Sequence, residues 1–288
     1  MPHLSEKPAG FSLASIGLRL SAWFEHWFPD AFALALAACG IVFVASLAAG
    51  ASPADAAQWF GAGFWDLVAF TMQIALIIVT GYVVAVSPPV YAVIRRIATV
   101  PTSGPGAAAF VGLFSMLSSL LSWSFSLIFS GLLAREVAHR VQGTDYRALG
   151  AAAYLGIGSV WALGLSSSAA LIMASPASLP DSIEAISGVI PLEQTLGLWQ
   201  SLVMAGAVIV LSMIICYYSA PSADQARGMA QMGVTYAPPP PPLGKPDRPG
   251  EWLEYSPFLT LLVCGLSIAY FVREVATVGA AVILELNH

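Results

Sequence analysis

Two stretches of this chain place hydroxyls and glycines where the surrounding sequence is smooth and aliphatic. The first is Ser118-Ser119-Leu120-Leu121-Ser122-Trp123-Ser124-Phe125-Ser126, and the second runs from Gly156 through Gly158, Trp161 and Gly164 to Ser166-Ser167-Ser168. Hydroxyls, helix ends and freed carbonyls bind ions; on their own they do not break bonds. Bond-making chemistry finds little support elsewhere. None of the histidines His3, His26, His139 and His288 falls in an apolar run, and no acidic residue sits in the middle of one. Gly164-Leu165-Ser166-Ser167-Ser168 lacks the closing glycine of a GxSxG elbow and has no base nearby. Gly156-Ile157-Gly158 lacks the third glycine and the preceding strand of a dinucleotide site. Cys39, Cys216 and Cys264 are scattered with no CxxC spacing, so they read as small buried hydrophobes. The expectation is a protein that is not an enzyme and uses neither metal nor cofactor.

Binding an anion needs no fixed positive charge here. An Asp at the centre of a membrane helix costs about 2.5–3.5 kcal/mol. A helix N-terminus returns up to ~2 kcal/mol, and each hydrogen bond to a charged group contributes about 1.5–3 kcal/mol. Two half-helix ends and two serine hydroxyls therefore suffice. Glycine costs a helix about 1 kcal/mol relative to alanine, so Gly156, Gly158 and Gly164 mark a break whose freed carbonyls could hold a cation. Close helix packing through small residues is the plainer alternative.

The elements that must position these residues follow from composition. The chain has 288 residues, 58% hydrophobic and 9% charged, against about 25% charged in an ordinary soluble domain. Mean hydropathy is +0.78, too apolar for one globular core to hide, so a soluble domain and a disordered chain are both excluded. A net charge of −5 leaves no basic face for nucleic acid. The lipid bilayer is the expected partner. Spans of about 20 apolar residues are predicted at 31–49, 67–86, 150–173 and 198–218, with a shorter one at 257–272. Residues 1–30 form an N-terminal segment in which 11–28 mix tryptophans with charge, as an interfacial helix would. Residues 31–218 make the main transmembrane bundle, 219–256 a cytoplasmic linker with five prolines at 238–242, and 257–288 the start of a second, incomplete half.

The run 107–134 is long for one span and short for two. Were it a simple span, Arg135, Arg140 and Arg147 would face outward and the uncharged stretch 174–197 inward, against the positive-inside rule. If it enters and leaves on one side, all of the 11 basic residues except Arg273 are cytoplasmic, as is the N-terminus. A re-entrant hairpin of two half-helices, each about 13 residues and roughly 20 Å long, is therefore predicted, with its tip in 118–126. Non-helical backbone at depth belongs beside protein or a water-filled path. The fold class is an all-α integral membrane bundle, multi-pass, with one re-entrant hairpin and one broken helix at 150–173.

Several stretches carry a family resemblance. They are Phe28-Pro29-Asp30-Ala31-Phe32, Gly63-Phe64-Trp65, Met72-Gln73-Ile74-Ala75-Leu76 and Thr80-Gly81-Tyr82, then Ser87-Pro88-Pro89-Val90, Ala134-Arg135-Glu136-Val137-Ala138-His139-Arg140 and Gly188-Val189-Ile190-Pro191-Leu192. In these the chain resembles the bacterial short-chain fatty acid transporters, over nearly its whole length. The resemblance implies an inner-membrane secondary carrier for small carboxylates such as butyrate or acetoacetate, with Na+ or H+ as coupling ion. It also implies a further half beyond His288, to be supplied by a second copy or a separate chain. Three positions, in two places, depart from the family pattern: Ser124 and Ser126 stand where glycines are usual, and Ala162 where a histidine is usual after Trp161. The expected substrate site is Ser122, Trp123, Ser124, Ser126, Trp161, Ser166, Ser167 and Ser168. In it Ser122, Ser124, Ser166 and Ser168 hold the carboxylate while Trp123 and Trp161 flank the alkyl tail. Gly156, Gly158 and Gly164 form the possible cation site. A non-transporting membrane scaffold and a passive anion channel are the alternatives.

Overall fold

A computed structural model describes residues 12–176, 179–236 and 248–279. Prolines 238–242 and residues 280–288, the end of the predicted incomplete half, lie outside the described residues. All regular structure among the described residues is helical, and six helical segments there are long and apolar enough to cross a membrane. The chain divides into two compact units, Met1–Val83 and Val84–His288.

The first unit holds α1 (Leu13–Trp27), α2 (Ala31–Ala48) and most of α3 (Pro53–Val86). Local chemistry sets their starts. Ser12 and Ser15 form a reciprocal capping box on α1, and the Asp30 side chain accepts the Phe32 amide at 2.8 Å to cap α2. Pro53 opens α3, where its missing N–H costs nothing. The predicted span 67–86 is therefore only the second part of a 34-residue helix. At 1.5 Å per residue it is about 50 Å long, well beyond a hydrocarbon core of about 30 Å. Its first turns carry exposed Trp59, Phe60, Phe64 and Trp65, which suit headgroup depth. Asp66 falls inside this helix, one residue before the predicted span.

The second unit builds the interior. After α4 (Pro88–Ile97) come α5 (Gly104–Leu121) and α6 (Trp123–Arg140), which pack along each other as a helical hairpin. Ser103 caps α5, its side chain accepting the Gly106 amide. The predicted hairpin at 107–134 is thus too short. Each arm has 18 residues, because helix continues through the charged Arg135–Arg140 turn. Before the hairpin, Tyr91 and Ile94 of α4 are buried. Both arms bear on the next segment, α7 (Tyr146–Leu155), and α10 (Trp199–Ser219) packs on α5. The core joins Ala107 and Val111 of α5, Leu133 and Val137 of α6, and Leu149 and Ala152 of α7.

The predicted broken span is discontinuous. It runs as α7, one π turn over Gly156–Val160, one 3-10 turn over Trp161–Leu163, an extended Gly164, and then α8 (Ser168–Ala174). Beyond it lie α9 (Asp181–Ser187), α10, the short α11 (Glu251–Tyr255) and α12 (Phe258–Val278). The last of these is several residues longer than predicted. In α10 and α12, Leu202, Val203, Leu261, Val263 and Ile268 are all more than half exposed. A face of that size is stable only against lipid or protein.

Candidate functional site

The hairpin tip and the break meet. Ser122 ends α5 and begins α6 in extended conformation, at φ −154° and ψ 126°. Turning the chain there strips amides and carbonyls of their helical partners, and the break supplies replacements. The Trp123 amide donates to Ser166 Oγ at 2.9 Å, and the Leu165 amide donates to the Leu120 carbonyl at 2.8 Å. The Trp161 indole Nε1–H donates to the Ser166 carbonyl at 3.0 Å. Ser122 and Ser124 hydroxyls lie 3.1 Å apart. Five predicted residues, Ser122, Trp123, Ser124, Trp161 and Ser166, are thereby brought together, all partly buried.

Three others have different surroundings. Ser126 is fully buried deeper between the arms, donating to the Ser115 carbonyl at 2.7 Å. Ser167 is buried and caps α8, accepting the Ala170 amide at 3.4 Å. Ser168 is the first residue of α8.

The three glycines separate by role. A Cβ on Gly156 would lie 2.3 Å from Ser126 Oγ and 2.4 Å from the Ser115 carbonyl oxygen. On Gly164 it would lie 2.6 Å from the Ser119 carbonyl oxygen and 2.8 Å from Leu120 Cα. Both glycines let backbone touch backbone. Gly158 would meet only the Tyr154 ring, at 3.5 Å.

Sequence reasoning missed Ser115. Its hydroxyl donates to the Ala153 carbonyl at 2.6 Å, receives the Gly156 amide at 2.9 Å and lies 3.2 Å from Ser126 Oγ. It thus joins α5, α6 and the start of the π turn. The Ser115/Ser119 spacing of four, one helical face, was the available signal. Among the described residues, no formal charge enters this junction.

Charge gathers instead at the other end of the hairpin. Glu136 of α6 is fully buried and accepts hydrogen bonds from Tyr91 Oη and, at 2.7 Å, from Tyr236 Oη. Arg140 Nε lies 3.6 Å from its other oxygen. Asp145, also buried, caps α7 through the Arg147 and Ala148 amides and pairs with the Arg147 guanidinium at 2.5 Å. Burial pushes its pKa up, but the Arg147 side chain and the Arg227 and Ala148 amides outweigh that and hold it below the usual 3.8.

Comparison with known proteins agrees with the resemblance. The profile of a family described as "Short chain fatty acid transporter" matches residues 12–287. The chain is 33% identical over 253 residues to an Escherichia coli (strain K12) protein named "Putative short-chain fatty acid transporter", covering 87% of this chain and 57% of that one. It is 27% identical over 259 residues to a Haemophilus influenzae protein of the same name, with the same coverage of each chain. The chain thus spans a little over half the length of these relatives. No solved structure gives a significant match.

Proposed function

The chain belongs to the short-chain fatty acid transporter family, and from that premise we propose that it carries a small carboxylate, of the butyrate or acetoacetate kind, across the bacterial inner membrane. Membership and six helical segments of spanning length support a multi-pass membrane transporter over an enzyme. The finer reading is secondary transport, with the N-terminus cytoplasmic and the substrate held where the hairpin tip abuts the broken helix.

One observation carries it: the Trp123 amide, at the N-terminus of α6, is satisfied by a hydroxyl from the break, Ser166 Oγ. A neutral hydroxyl is the weaker acceptor. A carboxylate in its place makes a charge-assisted bond roughly twice as strong, on the favourable end of the α6 dipole. Substrate would then exchange with Ser166, leaving that hydroxyl, with Ser122 and Ser124, to donate to the carboxylate. Trp161, tied to the same residue through its indole, stands where the alkyl tail would lie beside Trp123.

Opening that bond loosens the tip from the break, leaving the Leu165–Leu120 backbone bond as the other tie, so binding and movement share a contact. The coupling ion, Na+ or H+, belongs to the same proposal, with the break at Gly156, Gly158 and Gly164 as the candidate site for a bound Na+. Uptake of labelled butyrate into sealed vesicles tests the whole. Saturable uptake is expected. Uptake rising without limit indicates a channel, and none at all a scaffold.

A further inference from the structure

The segment after α10 leaves the helix at Ala220 and crosses the base of the hairpin. It makes two attachments of different construction. At the first, the Arg227 amide donates to Asp145 Oδ2 at 3.0 Å, and the Tyr146 amide donates back to the Arg227 carbonyl at 2.8 Å. Backbone thus bonds in both directions, beside a carboxylate already fixed by its own cap and by Arg147. Met229 is buried two residues later, and Gly143 of the α6–α7 turn leaves only 3.2 Å between its Cβ position and that of Ala223.

The second attachment is made of side chains alone. Tyr236 Oη donates to Glu136 at 2.7 Å, and its ring stacks on His139 with centroids 4.0 Å apart and planes 10° from parallel. The Arg135 guanidinium lies 6.0 Å from the centre of that ring and also donates to Tyr91 Oη, at 3.4 Å. Burial and the Glu136 carboxylate push the phenols of Tyr91 and Tyr236 above the usual 10, so both remain donors at neutral pH. Glu136 Oε2 accepts no hydrogen bond among the described residues and has only the Arg140 ion pair at 3.6 Å. A buried carboxylate with a spare acceptor site is costly when left dry. It gains from any movement that admits water.

We infer that residues 220–236 are a strap hinged at Asp145–Arg227 and latched at Glu136–Tyr236, the latch being the end that releases to open the base of the hairpin. The purpose rests on the carrier reading, since a carrier must expose its site to each side in turn; the construction does not. Three Tyr236 partners on α6 (Arg135, Glu136 and His139), with Arg140 on Glu136 and Tyr91 on α4, hold the latch, and none of them belongs to the tip. A strap fastened at both ends by backbone would be a mere connector.

Hydrogen exchange on the full chain in lipid vesicles, without substrate, tests this. Tyr236→Phe keeps the stacked ring and removes only the donor. It should speed exchange of the Met232, Gly233 and Val234 amides about tenfold, the loss of one hydrogen bond to a charged group, while the Arg227 and Tyr146 amides stay as in the wild type. Asp145→Asn should speed both groups, because the hinge fails. Unchanged exchange at 232–234 in Tyr236→Phe overturns the latch. Equal acceleration at Arg227 in that variant overturns the division into hinge and latch. Acceleration confined to Arg227 and Tyr146 in Asp145→Asn overturns the hinge. No substrate enters the measurement, so a wrong substrate class would fail in the uptake assay and leave these outcomes intact.

Discussion

The tip and the base of one hairpin are held by opposite means. At the tip, Ser122, Ser124, Ser166 and the Trp123 and Leu165 amides meet without a formal charge. At the base, Glu136 and Asp145 are buried among Tyr91, Tyr236, Arg140 and Arg147. The difference is one of exchange. Neutral hydrogen bonds contribute about 0.5–1.5 kcal/mol each and can be traded for a ligand's. Breaking a buried charge pair by removing one partner costs about 3–5 kcal/mol, so Glu136 and Asp145 keep their arginines when the Tyr236 phenol lets go, while the whole tip can change partners. A site for an anion built at the base would face two carboxylates; built at the tip it faces none.

The sharpest way to break this contrast is to pry the tip from the break. Gly164 sits in extended conformation, at φ −101° and ψ 167°, which any residue adopts, so only space requires glycine there. Its neighbours are backbone atoms of Ser119 and Leu120, which no rotamer change can clear. Gly164→Ala should cost about 1–3 kcal/mol as overpacking and cut uptake by tenfold to a hundredfold or more. Gly158→Ala, meeting only a ring edge at ordinary contact, should leave uptake within twofold. Equal uptake by both variants would show that tip and break need not touch.

Next in size is the neutral seam below the tip. Ser115→Ala removes the bonds to Ala153 and Gly156 and the contact with Ser126, leaving a buried carbonyl and amide without them. About 1–3 kcal/mol of stability should go, read as a lowered melting temperature in mild detergent.

These positions also mark how far sequence reading reaches. Hydrophobic runs locate α2 and α10 to within a residue at each end, since a span ends where apolar residues end. They cut the hairpin short at Arg135, because a charged turn looks like an exit from the membrane when in fact Glu136 is paired by Tyr91 and Tyr236, 45 and 100 residues away. No window along the chain contains such a pairing. The tip serines and the break glycines stood out by type, and five of the eight substrate-site residues come together. Yet Ser126 looks like a tip residue in sequence and is a seam residue in space, one helical turn below Ser122. Start signals were present for α5 in Ser103-Gly104-Pro105, a cap followed by proline in the first turn.

If the tip holds the carboxylate and Trp123 and Trp161 bury the tail, chain length should matter. Each buried methylene contributes about 0.8 kcal/mol, so butyrate should outcompete acetate by about tenfold to twentyfold in uptake. Equal competition would remove the apolar wall from the proposal while leaving the serine contacts untested by it.

The base responds to acid in the opposite sense to a site that needs protonation. Asp145 is held below the usual 3.8 in the folded chain, so its contribution is complete above that unfolded value and is lost as pH falls below it, through the folded pKa. Melting temperature should therefore drop below about pH 4 in the wild type, and by less in Asp145→Asn. That variant keeps an N-cap acceptor but loses the charge behind the bonds to Arg147 and Arg227, so about 1–1.5 kcal/mol should go at neutral pH. A melting curve with identical acid dependence in both would take Asp145 out of the hinge.

The smallest expected effect tests whether a polar group in the hairpin contributes merely by being there. Ser130 of α6 is fully buried, and its hydroxyl has no hydrogen-bond partner among the described residues. It lies four residues beyond Ser126, away from the tip, among the apolar side chains Phe129 and Leu133. Ser115 supports both arms because all its bonds are made; Ser130 has none to lose. Replacing an unsatisfied buried hydroxyl by a methyl of similar size removes a desolvation cost and breaks nothing, so Ser130→Ala should leave the melting temperature unchanged or raise it slightly. Its uptake should match the wild type, since neither tip nor latch includes it. A loss comparable to that of Ser115→Ala would show that Ser130 holds something on opening, and the division between an exchanging tip and a fixed lower hairpin would have to be drawn closer to the base.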